Sequence, residues 1–541
     1  MKKAGGIDGM ISGKNIEQSH VCVGGSWIPL PPSIMPVVIV QGSDYEMGYQ
    51  YGQQVGPYIE LVKDAEWVDA FRQFQKRKEI QHELEAAEHY IRMYAPEEIR
   101  KMKGIAEGAT KAGYKVSYAD VLLINTRVHP PTPAATFPSH EESCSVWAAW
   151  GKTTIDGRLI CGDSKDELYS YQVLTVAFPD RGNAYVMAAK AGEIGQHFAM
   201  NNKGLFIGAS GAPGERDGDR DYGTPYSCTF PHLLQFSSHA EEAKEMLQSW
   251  KIYWCRGLNY TFADTRGRAF VVEMTAQARC LRLPGDHGET DFIYATNDFL
   301  TDVMKRETDG ATYGLINSPP RNDQIVSLLT RYQGSVDVDF AKMMWRCPGY
   351  GKIGNLYNHR VVVALPDEGD KGVAHVCTGP PNREAYPTYA SGPGPYPGLS
   401  DSPERDGHDY FIAPTHSFYR IGLASCPEAV VEGTQEAAHD TNAMAYQALR
   451  RLDYTDSGYG VLNDLYSRSV AERFEGTLMF NKGLLGKGRK ALSYLSYAAT
   501  AFTRSQAHAL QVYNALVPPV TDPKDLGHSS GERVQAFPKV K

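Results

Sequence analysis

No CxxC pair occurs among the nine cysteines of this chain, which removes zinc ribbons and thioredoxin-type redox motifs. An odd number of cysteines spread over 541 residues is no disulfide framework, and reduced thiols point to a cytoplasmic protein. There is no HExxH, and Gly208-Ala-Ser210-Gly-Ala212 lacks the second glycine of a nucleophile elbow. His408, His416 and His439 have no metal-ligand spacing. No apolar run is long enough to span a bilayer, and Met-Lys-Lys-Ala-Gly-Gly-Ile-Asp-Gly-Met has no apolar signal core. A net charge of -8 without a basic stripe argues against a nucleic-acid partner. Gly349-Tyr-Gly-Lys-Ile-Gly354 fits GxGxxG but follows Met-Met-Trp-Arg-Cys-Pro, not a buried strand, so it reads as a glycine loop.

What is present changes texture along the chain. Residues 1–35 read as a flexible lead, and Val37-Val-Ile-Val40 as a short buried strand. Helical signals then run to about residue 125, through the segments at 43–58, 64–94, 96–106 and 118–125. Pro96-Glu-Glu suits a helix start, because proline loses no bond there and acids favour the positive end. From 144 to about 380 strands arrive in hairpins with helices between them, which predicts antiparallel sheets covered by helices, an α+β fold. Residues 381–435 are rich in Pro and Gly and read as a wrapping loop. The stretch 436–541 reads as a helical appendage, with helices over 437–452, 460–474 and 488–516 and a polar tail.

The chemistry centres on Glu142-Ser143-Cys144-Ser-Val-Trp-Ala-Ala-Trp150. A proline-rich linker, with Pro130, Pro131, Pro133 and Pro138, delivers the chain to Cys144. A short apolar strand follows. Asp156-Gly157 predicts a hairpin turn, which sets Trp147 opposite Asp166 and Cys144 opposite Tyr169. Strict alternation puts residues 144 and 147 on opposite faces, so Asp166 reaches Cys144 only through a bulge or from beyond the strand. Most free cysteines are small buried hydrophobes, a reading that suits Cys161, Cys255, Cys280 and Cys377. Cys144 differs in lying between a linker and a hairpin, as a precursor would present a nucleophile for self-cleavage.

Over roughly residues 37–380 the chain resembles the isopenicillin N acyltransferase family of N-terminal-nucleophile (Ntn) hydrolases. Gly42-Ser-Asp-Tyr-Glu-Met-Gly-Tyr-Gln-Tyr-Gly52 and Glu97-Glu-Ile-Arg-Lys-Met-Lys-Gly-Ile-Ala-Glu-Gly108 are similar to that family's pro-region helices. Gly162-Asp-Ser-Lys-Asp166 resembles its glycine-to-aspartate segment, and Ala191-Gly-Glu-Ile-Gly195 with Met200-Asn-Asn-Lys-Gly-Leu205 its next stretch. Ala295-Thr-Asn-Asp298 is similar to its Thr-Asn-His. Ser143 stands where glycine is usual, Ser145 where threonine often follows, and Asp298 where the family has histidine.

The resemblance implies a four-layer αββα sandwich at 144–380, a helical pro-segment at 1–143, and cleavage between Ser143 and Cys144 with the two fragments staying together. It implies Cys144 as nucleophile, its freed α-amino group as base, Asn297 as oxyanion donor and Asp166 as the carboxylate that orients the amine. Arg360 is the candidate for the family's late arginine. The substrate is a small amide or acyl donor, attacked to give a thioester, with no metal or cofactor; either water or an amine completes the reaction. Two other readings stay open: an unprocessed, non-catalytic binding module of the same fold, and a thiol hydrolase that works uncleaved with an external base.

Overall fold

The structure, a computed structural model, describes residues 20–23, 26–29, 35–64, 78–126, 144–166, 171–196, 198–212, 223–253, 257–307, 318–347, 353–354, 358–379, 381, 417–455, 459–517 and 519. Ser143, Tyr169 and most of the glycine loop at 349–354 lie outside them.

Ahead of Cys144, β1 (His20–Val23) and β2 (Ser26–Pro29) make a hairpin, and β3 (Val37–Gly42) leads into α1 (Asp44–Asp64), α2 (Lys78–Tyr94), α3 (Pro96–Lys111) and α4 (Tyr118–Thr126). Then come β4 (Ser145–Ala149), β5 (Ile160–Asp166), β6 (Gln172–Pro179), β7 (Tyr185–Lys190), β8 (Phe198–Asn201), β9 (Leu205–Ala212), β10 (Thr224–Pro225), α5 (Tyr226–Phe236), α6 (Ala240–Ser249), β11 (Ile252–Tyr253), β12 (Gly257–Asp264), β13 (Ala269–Met274), β14 (Arg279–Arg282) and β15 (Phe292–Ala295). The chain continues through α7 (Asp302–Glu307), α8 (Ser318–Arg331), α9 (Val338–Arg346), β16 (Asn358–Leu365), β17 (Val373–Thr378), β18 (Tyr419–Gly422), α10 (Pro427–Leu449), α11 (Tyr459–Leu485) and α12 (Gly488–Leu516).

Among the described residues the larger strands form two sheets. One runs β14-β13-β12-β9-β8-β7-β6-β3 and the other β15-β4-β5-β16-β17-β18. Side-chain alternation assigns each face. In β3, Val38 and Val40 join a core with α1 to α6, while Val37 and Ile39 turn into the space between the sheets. In β16, Val362 and Ala364 enter that same inter-sheet core, while Val361 and Val363 pack with α8 and α9. The order is therefore helices, sheet, sheet, helices: the expected four-layer αββα sandwich. Burial of both faces explains why these strands read as near-continuous apolar runs.

The segment ahead of Cys144 is part of this sandwich. β3 pairs in parallel with β6, from Val37 opposite Leu174 to Gly42 opposite Pro179, at the edge of the first sheet. The residues expected to wrap as a loop contribute β18 to the edge of the second sheet. The C-terminal helical region starts at Pro427, ahead of the expected 436, because Cys426-Pro427-Glu428 is itself a proline-and-acid helix start.

Helices α1 and α3 meet backbone to backbone. A Cβ added at Gly48 would lie 2.1 Å from the Lys101 carbonyl oxygen, and one at Gly104 would lie 2.2 Å from that of Tyr45. Gly52 and Gly108 are equally close to Ile105 and Tyr49. Alanine is the better helix former by about 1 kcal/mol, so propensity alone predicts that Gly104→Ala stabilises. Here backbone cannot give way as a side-chain end could. We expect Gly104→Ala to destabilise by roughly 3 kcal/mol, at the upper end for overpacking. Thermal unfolding decides the sign; a raised midpoint would refute backbone contact.

Candidate functional site

Cys144 is fully buried at the head of β4, on the inner strands of the second sheet. The observed register sets Trp147 opposite Gly162 and Ser145 opposite Ser164. This corrects the expected pairing of Trp147 with Asp166, and extending it sets Cys144 opposite Lys165, not Tyr169. The reason lies in the connection. Of its residues Gly151 and Gly157 take positive φ but Asp156 does not, so the tight Asp-Gly turn cannot form. A broad loop takes its place, closed by Gly151 N–H donating to the Gly157 carbonyl at 3.0 Å and by a bridge between Thr154 and Val336.

Register decides which side chains share the face of Cys144. Val146 and Cys161 point between the sheets, so alternation sends Cys144, Asp163 and Lys165 there too, and Asp166 to the other face. No register shift interrupts the β4–β5 pairing. The Cys144 thiol lies 3.9 Å from the Asp166 carbonyl oxygen, and the Asp166 carboxylate accepts from Asn358 Nδ2 at 2.6 Å. Asp166 thus lies beside Cys144 through its backbone, with its carboxylate tied to β16.

Arg360 sits on the inter-sheet face. It donates to Gln172 Oε1 and, at 3.1 Å, to Gln196 Oε1, and its Nη2 lies 3.9 Å from Asp163 Oδ1. Burial pushes the Asp163 carboxyl up to about 7, against the opposing pull of Arg360 and with help from the nearby Asp166 charge. The sign for stability follows from linkage. Below about 4 Asp163 is protonated folded or unfolded. As pH rises to about 7 the unfolded chain ionises first, so the folded state loses stability, on the order of 4 kcal/mol over three pH units. Asp163→Asn is expected to remove that loss. Denaturant midpoints of both proteins from pH 4 to 8 check it, and parallel curves would contradict it.

Asn297 follows β15 and links the two sheets. Its Nδ2 donates to the Gly211 carbonyl on β9 at 2.8 Å, and its Oδ1 accepts from Arg321 Nη2 at 2.9 Å. The flanking backbone is held as well. Ser210 Oγ and Asn259 Nδ2 donate to the Thr296 carbonyl at 2.6 and 2.8 Å, and Asn259 also reaches the Asp298 carbonyl at 2.9 Å. Asp298, where the resembled family has histidine, accepts from Asn322 Nδ2 at 3.1 Å and Thr296 Oγ1 at 3.0 Å, fastening this turn to α8.

Arg321 is the residue that sequence reasoning missed. It lies in the first turn of α8 and its Nη1 donates to the Cys144 carbonyl at 2.6 Å and to Ser145 Oγ at 2.9 Å. One guanidinium therefore joins the Cys144 backbone to the Asn297 amide. Its partners lie 24 and 177 residues away, so no local pattern marks it beyond the Ser318-Pro-Pro helix start. Among the described residues no group of His, Cys, Asp or Glu could hold a metal ion, and no helix is long and apolar enough to cross a membrane.

A curated relative, an uncharacterized protein of Archaeoglobus fulgidus, is 26% identical over 365 residues, covering 58% of this chain and 58% of that protein. The chain thus spans under two thirds of that relative's length. Among solved structures, penicillin V acylase from Agrobacterium tumefaciens matches at 12% identity and TM-score 0.31, over 43% of this chain and 83% of the other. A mutant of the conjugated bile acid hydrolase from Clostridium perfringens matches at 14% and 0.30, over 43% and 89%. At those scores the two likenesses decide nothing about this chain's substrate. Residues 162–348 match the model of the acyl-coenzyme A:6-aminopenicillanic acid acyl-transferase family, and this is the family that the motifs from Gly42 to Asp298 resemble.

Proposed function

We propose that this protein is an N-terminal-nucleophile amidohydrolase or acyltransferase, activated by scission of its own Ser143–Cys144 bond. The observation that carries the reading is the Arg321 bridge, which joins the Cys144 backbone to the side-chain amide of Asn297.

In the precursor the Cys144 thiol adds to the Ser143 carbonyl carbon. The C–N bond breaks, its nitrogen takes the thiol proton, and a thioester joins residue 143 to Sγ. Water then hydrolyses the thioester and frees the thiol and an α-amino group. That amine has an ordinary pKa near 8, low enough to take the thiol proton at working pH. The thiolate attacks a substrate amide, an Asn297 N–H stabilises the oxyanion, and the departing amine collects the proton. Water completes hydrolysis of the acyl-enzyme, or an amine completes transfer. Asp163 and Arg360, on the face of Cys144, set the charge around the thiol.

Intact mass and N-terminal sequencing of the purified wild-type protein test this. Two chains, the larger beginning at Cys144, are expected. A single chain after long incubation would reject self-activation and favour the binding-module reading.

A further inference from the structure

Both sheets have an open edge on the same side of the sandwich, β3 in one and β18 in the other. Unpaired edge strands carry rows of free N–H and C=O groups that template further pairing. Here α12 covers both. On β3, Val37 N–H donates to Thr500 Oγ1 at 2.9 Å and Ile39 N–H to Ser496 Oγ at 2.8 Å. The hydroxyl protons are shared between strand and helix: Thr500 Oγ1 lies 3.1 Å from the Val37 carbonyl and Ser496 Oγ 3.3 Å from that of Ile39, each also near a carbonyl of its own helix. Gln41 is satisfied separately by Gln50 of α1, through N–H to Oε1 at 2.8 Å and Nε2 to its carbonyl at 2.7 Å. On β18, Gln506 takes the Arg420 N–H at 2.8 Å and donates to its carbonyl at 3.0 Å, as a neighbouring strand would.

The spacing explains the fit. Two residues along a strand advance about 6.6 Å, and four along a helix about 6 Å, so hydroxyls at i and i+4 meet alternate amides of an edge. Six residues further, about 9 Å, Gln506 reaches the second sheet across the roughly 10 Å that separates packed sheets. Leu492, Leu495, Ala498, Ala499 and Phe502 of the same helix pack into the inter-sheet core.

The consequence follows from chain order. β3 lies before residue 144 and α12 near the other end, 457 to 463 residues away. We propose that α12 is a second anchor for the segment released by scission: β6 pairs with one edge of β3, and α12 caps the other edge and ties the N-terminal fragment to the C-terminal helices. This rests on the proposed cleavage, but its test need not.

The experiment uses the full-length chain, either self-cleaved or carrying a recognition sequence for a site-specific protease between residues 130 and 138 and cut there. Fragments are followed by gel filtration in rising urea. Wild-type fragments are expected to co-elute. Ser496→Ala with Thr500→Val, which leaves two buried amides without acceptors, should raise the dissociation constant roughly a hundredfold and release the N-terminal fragment at lower urea. Ser493→Ala, whose exposed hydroxyl bonds only Arg489 of its own helix, should behave as wild type. Circular dichroism of the uncut double variant separates weakened docking from misfolding, and Thr500→Val alone serves as a milder probe. Equal retention in wild type and both Thr500 variants would overturn the proposal. Failure of self-cleavage would show in the uncut chain alone, leaving the protease-cut comparison intact.

Discussion

Cys144→Ala is expected to remain one chain of 541 residues, where wild type yields two, and to form no acyl-enzyme with any amide. The change is small for the fold. Cys144 is fully buried, and alanine removes one sulfur from a strand whose backbone pairing is untouched, costing about 1 kcal/mol of packing. It is total for the proposed chemistry, in which scission and turnover both begin with attack by the same sulfur. Cys144→Ser separates the two roles of that atom: a hydroxyl loses its proton far less readily, so scission should persist at a much reduced rate. Mass spectrometry over days distinguishes the three proteins. A new terminus at residue 144 in the alanine variant would assign the cut to another agent, and the thiol would lose its place as nucleophile.

Local chemistry made much of the fold legible. Pro96-Glu-Glu begins α3 where expected, and Pro179-Asp-Arg-Gly182 turns β6 into β7 with Gly182 at a φ of +91°. What failed was also local. Asp156-Gly157 is a strong turn signal, yet the bridge from Thr154 to Val336 opens the loop and moves the register by four positions in the summed residue numbers. Because four is even, the shift turns no side chain over: Asp166 lies on the face of Trp147 and Asp163 on that of Cys144 in either register, and what changes is the neighbour opposite Cys144, Lys165 in place of Tyr169. The placing of β3 had no signal at all, since its edge is satisfied by Ser496 and Thr500. Among candidate site residues, Cys144 and Asn297 could be named from motif order, whereas the guanidinium that joins them is visible only once α8 is folded against β4.

The same bridge sets the second large effect. Asn297 spends its Oδ1 on Arg321 and one Nδ2 hydrogen on the Gly211 carbonyl, which fixes the amide plane and leaves a single N–H to point at a developing oxyanion. A donor held in place before reaction is worth more than one that must be ordered during it. Removing one such donor costs about a hundred- to a thousandfold in rate. Asn297→Ala is therefore expected to slow acylation of the processed enzyme by an activated ester such as p-nitrophenyl acetate by that factor, with little change in the concentration dependence. Arg321→Met should cost less, because the amide remains but is free to turn. The double variant should be no slower than Asn297→Ala alone, since Arg321 acts on this step through Asn297. Additive losses would mean that Arg321 works on Cys144 directly, through the carbonyl it holds at 2.6 Å. Acylation at the wild-type rate in Asn297→Ala would remove Asn297 from the site altogether.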